Sequence, residues 1–338
     1  MQLERYRDRP VDRRKRMSKK LKEFWSGYNF IVIFIAIFAA YLIINGSETS
    51  WTTITNIFLH SAILGTIALG QGMIVLTGDI DLSVGSNFVL AGGLTIMLFN
   101  ATNSVFLTLL CALVLGGAFG FINGLFIGKF KMPSFIVTLA TMLIYRSLSQ
   151  YMMNEKGWTR YSIDATKSRY RALFNFGNGK LFTISYLAIV FVLLAFLLMY
   201  VTDSTKYGKR VYAVGSNEKA ARLAGVNVAW TRISVFVIAG LCTGLATFLK
   251  IAKDTSFDPA TSGKNYELYS IAAVVIGGIS MSGGKGKVLG IIFGTMSFTL
   301  IDKIITALGM NALLNDTVKG IILLIAVGLQ MVQRRSKD

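Results

Sequence analysis

The chain has 338 residues, 53% of them hydrophobic and 15% charged, with a formal charge of +18. Apolar runs recur along most of its length, which excludes a soluble globular enzyme and implies a polytopic membrane protein. The positive charge clusters in 5–22 and in short loops between the runs, so it reads as a cytoplasmic, headgroup-facing signal and not as a nucleic-acid surface.

Residues 1–27 read as a basic cytoplasmic N-terminal tail, and the run at 28–44 has no small-residue cleavage site after it, so it is a retained first span. Further runs cover about 54–76, 84–99, 104–128, 133–150, 181–201, 232–250, 269–281, 286–308 and 314–331. The predicted fold is therefore all-α: a polytopic integral membrane protein with about ten transmembrane helices in a domain spanning 28–331, and a cytoplasmic C-terminal tail at 332–338. With the N-terminus inside, both termini, Lys129, Lys131, the 202–231 loop, Lys285 and Lys287 fall on the cytoplasmic side. The basic 151–180 loop falls outside; long loops vote weakly in the positive-inside rule. Gly116, Gly117, Gly120 and Gly124 put a small-residue stripe on the fourth run that lets a neighbouring helix come close, and Pro133 is placed to begin the fifth.

Two glycine-rich breaks interrupt this pattern. The first, Thr77-Gly78-Asp79-Ile80-Asp81-Leu82-Ser83-Val84-Gly85-Ser86, sets two carboxylates and irregular backbone between long apolar runs, where protein or water must satisfy both. The second, Gly277-Gly278-Ile279-Ser280-Met281-Ser282-Gly283-Gly284-Lys285-Gly286, follows a run too short for a straight crossing, which needs about 20 residues. Paired broken segments point to a translocation path in membrane carriers; the competing reading is two tight interhelical turns. The candidate path or gate residues are Asp79, Asp81, Ser83, Asn87, Ser280 and Ser282.

No catalytic set survives inspection. A phosphate loop ending at Gly284-Lys285 fails twice, with Ile279 in place of its first glycine and Gly286 in place of its Ser or Thr, so the chain has no ATPase site of its own. His60 is the lone histidine, and Cys111 and Cys242 sit inside apolar runs as small hydrophobes, so no metal or cofactor is expected. Arg146 and Lys319 read as snorkelling side chains, while Asp302 and Lys303 point about 100° apart on their helix and do not pair with each other. In the 202–231 loop, Ser216 or Asn217 can cap a short helix through Glu218, Lys219, Ala220, Ala221 and Arg222, with Ala220, Ala221 and Ala224 near one side and Gly225 as the stop. So short a helix needs support, either from its own spans or from a groove on a soluble partner.

These motifs resemble the membrane permease subunits of bacterial ATP-binding-cassette importers for monosaccharides, of the ribose/galactose/xylose type. The matching stretches are 77–86, Pro133-Ser134-Phe135-Ile136-Val137-Thr138-Leu139-Ala140-Thr141-Met142, 207–227 and 266–290, in the family's order. Branched-chain amino-acid permeases, distant relatives, lack the Ile80-Asp81-Leu82-Ser83 core, which favours sugar. The resemblance implies a multi-pass permease of the bacterial inner membrane that translocates a monosaccharide brought by an external or periplasmic binding protein. It also implies a second permease subunit, identical or different, and an ATP-binding subunit that uses the ATP and docks on 216–225 as the coupling helix. The outer loops 151–180 and 251–268 would receive the binding protein. Asp79 stands where the family often has glycine, Tyr269 where it often has aspartate, and Lys287 where a small polar residue is common. A nucleoside or other polar solute stays open as cargo, and a proton-coupled carrier using Asp302 or Asp81 is the alternative of a different class.

Overall fold

The structure is a computed structural model that describes residues 28, 30–46, 49–311 and 314–335. The expected 1–27 tail and the last three residues lie outside them. The described chain is helical, with four two-residue strands, in the order α1 Phe30–Asn45, α2 Trp51–Leu76, α3 Val84–Thr102, α4 Val105–Gly128, α5 Ser134–Glu155, β1 Tyr161–Ser162, α6 Tyr170–Asn178, β2 Lys180–Leu181, β3 Ile184–Ser185, α7 Tyr186–Ser204, α8 Lys206–Ser216, α9 Glu218–Leu223, α10 Val228–Asp254, β4 Ser256–Phe257, α11 Tyr266–Ile276, α12 Val288–Ala307 and α13 Asn315–Arg335. Helices α2, α3, α4, α7, α10 and α12 are long and apolar enough to cross a bilayer, and α1 and α11 are shorter apolar helices.

The burial pattern is that of a membrane protein. Phe106 and Val114 on α4, Leu143 and Ile144 on α5, and Leu193 and Phe196 on α7 point outward, where a soluble protein would carry charge. Polar side chains such as Gln71, Asn87, Asn123 and Thr243 are buried instead. Helix α2 lies at the centre, against α7, α10, α11 and α12. The small-residue stripe does what its spacing predicts: a Cβ on Gly116 would overlap the Gly240 carbonyl of α10, and one on Gly120 the Phe236 carbonyl.

The two breaks share one geometry. Gly78 (φ 81°) follows α2 and Gly278 (φ 82°) follows α11, a conformation that costs glycine little. In the first, the amides of Gly78 and Asp79 donate to Val75 and Ile74; in the second, those of Gly278 and Ile279 donate to Val275 and Val274. Both are Schellman closures, which satisfy carbonyls that would otherwise be orphaned inside the membrane domain.

At the opposite end the long polar loops are ordered. The 151–180 stretch contains β1 and α6, and β1 pairs antiparallel with β4, Tyr161 opposite Phe257 and Ser162 opposite Ser256. Phe257 fills the space over Gly92, and the buried Tyr161 donates its hydroxyl to the Ser149 carbonyl at 2.8 Å. Asn100 and Asn103 at the end of α3 stitch down the same loop, Asn100 through Ser162 O and Asp164 N, Asn103 through Ser168 and Arg169 N.

Several expectations need correction. Arg146 does not snorkel: its guanidinium donates to the carbonyls of Pro259, Ser262 and Gly263 at 2.9, 2.8 and 3.2 Å, which holds the 258–263 turn against α5. Lys319 is 7% exposed and pairs with Asp302 at 2.6 Å. A charge partly withdrawn from water among apolar helices is held at lower free energy by a nearby partner than by stretching to bulk water. The short run begins at Tyr266, ends at Ile276 and leaves 277–287 outside any helix. Pro133 caps α5 instead of opening it, and residues 332–335 lie within α13.

Candidate functional site

The two breaks meet each other and the α8–α9 segment at one end of the bundle. Gly215, in the last turn of α8, is wedged against both: a Cβ there would overlap the Leu76 carbonyl and approach the Gly284 amide. That amide donates to Leu76 O at 2.9 Å, which ties the second break to the end of α2. Tyr212 of α8 donates its hydroxyl to Gly286 O at 2.9 Å, and Ser216 Oγ donates to Gly284 O at 3.4 Å.

The first break is tied by charge. Asp79 Oδ2 lies 2.9 Å from Arg232 Nε on α10, and Arg232 Nη2 lies 3.2 Å from Glu218 Oε2 on α9. Thr77 Oγ1 adds a bond to Asp79 Oδ2 at 3.1 Å. Glu218 also holds Arg222, Nη2 to Oε1 at 2.8 Å. One arginine thus bridges the break after α2 and the short helix. Sequence reading missed Arg232; its position in the second turn of α10, inside an apolar run, was the available signal.

The other sequence-derived residues lie close by but are differently engaged. Asp81 is buried, and its Oδ1 accepts from both the amide and the hydroxyl of Ser83 at 2.7 Å. Asn123 of α4 donates to Ser83 Oγ at 2.8 Å. Asn87 is buried one helical turn on and donates to Gly116 O at 3.4 Å. Ser280 and Ser282 lie in the tight turn of the second break, where Gly283 N donates to Ser280 O at 2.9 Å and Ser282 N to Ser280 Oγ at 3.3 Å. Ser280 is half-buried and Ser282 exposed.

Helix α9 is formed as its residues suggest. Asn217 caps it, its Oδ1 accepting from Ala220 N at 3.0 Å, while Ser216 closes α8. Gly225 (φ 79°) stops it, with Val226 N donating to Ala221 O and Gly225 N to Arg222 O, both at 3.0 Å. The three alanines do not share a face. Ala221 packs inward with Val214 and Val228, whereas Lys219, Ala220, Ala224 and Leu223, the last 90% exposed, form the outer tip. Six residues make under two turns, so the inward packing and the Glu218–Arg232 contact must hold this helix.

Cys242 is buried, Cys111 half-buried, and both are free thiols. Among the described residues no group of three or more His, Cys, Asp and Glu side chains could hold a metal ion.

Comparison with known proteins agrees with this architecture. Residues 53–327 match the family described as branched-chain amino acid transport system / permease component. The ribose import permease protein RbsC of Bacillus subtilis (strain 168) is 35% identical over 298 residues, which cover 88% of this chain and 90% of that protein. The fructose import permease protein FrcC of Rhizobium meliloti is 34% identical over 90% of this chain and 85% of its own length. The L-arabinose transport system permease protein AraH of Escherichia coli (strain K12) is 31% identical over 93% of each chain. No solved structure matches this chain. A largely helical chain with apolar spans, related at this level to import permeases over nearly its whole length, is a multi-pass cell-membrane protein, and it belongs to the family of permease subunits of monosaccharide-type ATP-binding-cassette importers.

Proposed function

We propose that this chain carries a monosaccharide across the bacterial inner membrane through ten crossings, α1–α5, α7 and α10–α13, with both termini and α8–α9 in the cytoplasm. It works beside a second permease subunit, uses no cofactor itself and draws its energy from an ATP-binding subunit seated on α9. The platform at the other end, where β1 joins β4 around a polar hollow of about 450 Å³, receives the loaded binding protein. The names of the relatives, ribose, fructose and L-arabinose permeases, support the solute class.

The observation that carries the coupling reading is the linkage of α9 to both breaks. Its outer tip offers Ala220, Leu223 and Ala224 to a partner groove, while its base reaches Asp79 through Glu218 and Arg232. A push on α9 then moves the ends of α2 and α11 together, because Gly215, Leu76 and Gly284 are interlocked. In this reading Asp79, Asp81, Ser83 and Asn87 brace the gate from within, and Ser280 and Ser282 line its moving turn. A proton-driven carrier is disfavoured, since Asp81 is engaged by Ser83 and Asp302 by Lys319.

The test is reconstitution with the ATP-binding subunit and the binding protein in sealed vesicles. Sugar uptake is expected to require ATP and to be lost in Leu223→Arg, which leaves the permease folded but repels the partner. Unchanged uptake in that variant would remove α9 from the coupling role, and ATP-independent uptake by the chain alone would overturn the importer reading.

A further inference from the structure

Toward the end opposite the breaks, α2, α11, α12 and the first turns of α13 enclose a cleft of about 340 Å³. Its walls mix aromatic rings and charge in a way the apolar spans around it do not. Tyr269 of α11 and Phe298 of α12 lie side by side, with ring centroids 5.2 Å apart. Lys319 Nζ lies 4.3 Å from the Tyr269 centroid, 5.0 Å from that of Phe298 and 2.6 Å from Asp302 Oδ1. Tyr269 in turn donates its hydroxyl to Asp316, which Asn265 also reaches at 3.2 Å. The rings and the ion pair are therefore fixed in place before anything binds.

Two other polar side chains face the same space. Among the described residues, His60 of α2 and Lys303 of α12 have no hydrogen-bond or ion-pair partner, although both line the cleft. A charged or polar group in a membrane domain without a protein partner is costly unless it meets water or a ligand. The volume sits at the small end of the roughly 300–1,000 Å³ typical of small-molecule sites. Acceptor and donor charges are both present, so a neutral molecule with several hydroxyls is matched better than an ion of either sign. The flat rings suit the C–H face of a sugar ring, and Asp302 and Lys303 offer one acceptor and one donor for its hydroxyls.

We propose that this cleft is a transit site that holds one monosaccharide against Tyr269 and Phe298, with its hydroxyls on Asp302 and Lys303 and with His60 at the rim. The inference rests on the sugar-import reading and adds where in the chain the solute pauses. The cleft is not sealed from its surroundings, which fits brief occupancy and not storage.

The experiment uses the full-length chain in lipid nanodiscs, with Cys111→Ala and Cys242→Ala to remove the native thiols and His60→Cys as reporter. Labelling of that thiol by a charged, membrane-impermeant methanethiosulfonate is timed with and without D-ribose, D-fructose or L-arabinose, against glycine betaine as osmotic control. At a sugar concentration of roughly ten dissociation constants, labelling is expected to slow about tenfold for at least one sugar. Tyr269→Ala, and the milder Phe298→Leu, are expected to abolish the slowing. If no sugar slows labelling, or if slowing persists undiminished in both variants, the cleft is not the site. Sugar uptake by the reconstituted importer is measured in parallel: uptake without protection overturns the transit site alone, and absence of uptake overturns the function on which it rests.

Discussion

The two breaks are alike in backbone and opposite in chemistry. Each ends its helix with a left-handed glycine and the same pair of amide bonds, Gly78 with Asp79 after α2 and Gly278 with Ile279 after α11. Beyond that point the first is held by side chains: Asp79 by Arg232 and Thr77, Asp81 by Ser83, and Ser83 by Asn123. The second is held by backbone at close range, with Gly284 on Leu76 and Gly286 under Tyr212. The difference assigns them separate handles on the α8–α9 segment. The first answers to α9 through charge, at Glu218, and the second answers to α8 through shape, at Gly215. Charge transmits over long side chains and tolerates small shifts, whereas a backbone wedge transmits only rigid displacement.

Overfilling the wedge should have the largest effect. In Gly215→Val the new side chain meets the Leu76 carbonyl and the Gly284 amide, main-chain atoms that cannot step aside. A loss of about 3 kcal/mol, the upper part of the overpacking range, is expected, read as poor recovery of folded protein and early thermal unfolding in detergent. Normal stability there would mean that the breaks do not interlock with α8.

Cutting the charged link comes next. Arg232→Met leaves Asp79 buried without its cation, at a loss of about 2 kcal/mol, discounted because Arg232 is one-fifth exposed. The sharper readout is coupling: ATP hydrolysis by the assembled importer is expected to continue while uptake falls about tenfold, which corresponds to about 1.4 kcal/mol of lost transmission. Arg232→Lys, which keeps the charge, is expected to recover part of the uptake. Equal loss of hydrolysis and uptake would make Arg232 a plain stabilising residue. The smallest effect is expected for Tyr212→Phe, which loses one hydrogen bond to Gly286 O, about 1 kcal/mol in thermal unfolding, with uptake nearly unchanged.

Much of this was legible before any coordinates. Apolar runs fixed by composition became α1–α5, α7 and α10–α13, glycines every fourth residue on α4 became the close contact with α10, and the Asn217…Gly225 frame became α9. The misreadings share a cause. Snorkelling of Arg146 and Lys319 was inferred from their own helices, but their partners, the 258–263 turn and Asp302, lie on other elements. The alanines of α9 were placed on one face, whereas packing turned Ala221 alone inward. Each of the three departures from the family's pattern also proved to have a partner: Asp79 has Arg232, Tyr269 has Asp316, and Lys287 donates to the Tyr28 hydroxyl at 2.6 Å.

The sequence by itself determined that this protein lives in a membrane, where its long apolar helices and its two breaks fall along the chain, and which kind of importer it serves. Those are consequences of hydropathy, capping chemistry and local spacing, which act over a few residues. Only the tertiary structure decided that Asp79 reaches Glu218 through Arg232, that the two breaks close on Gly215, and that Tyr269, Phe298, Asp302 and Lys319 share one cleft. Those contacts join residues far apart in the chain, and no local rule specifies which charged side chains a folded bundle brings within 3 Å.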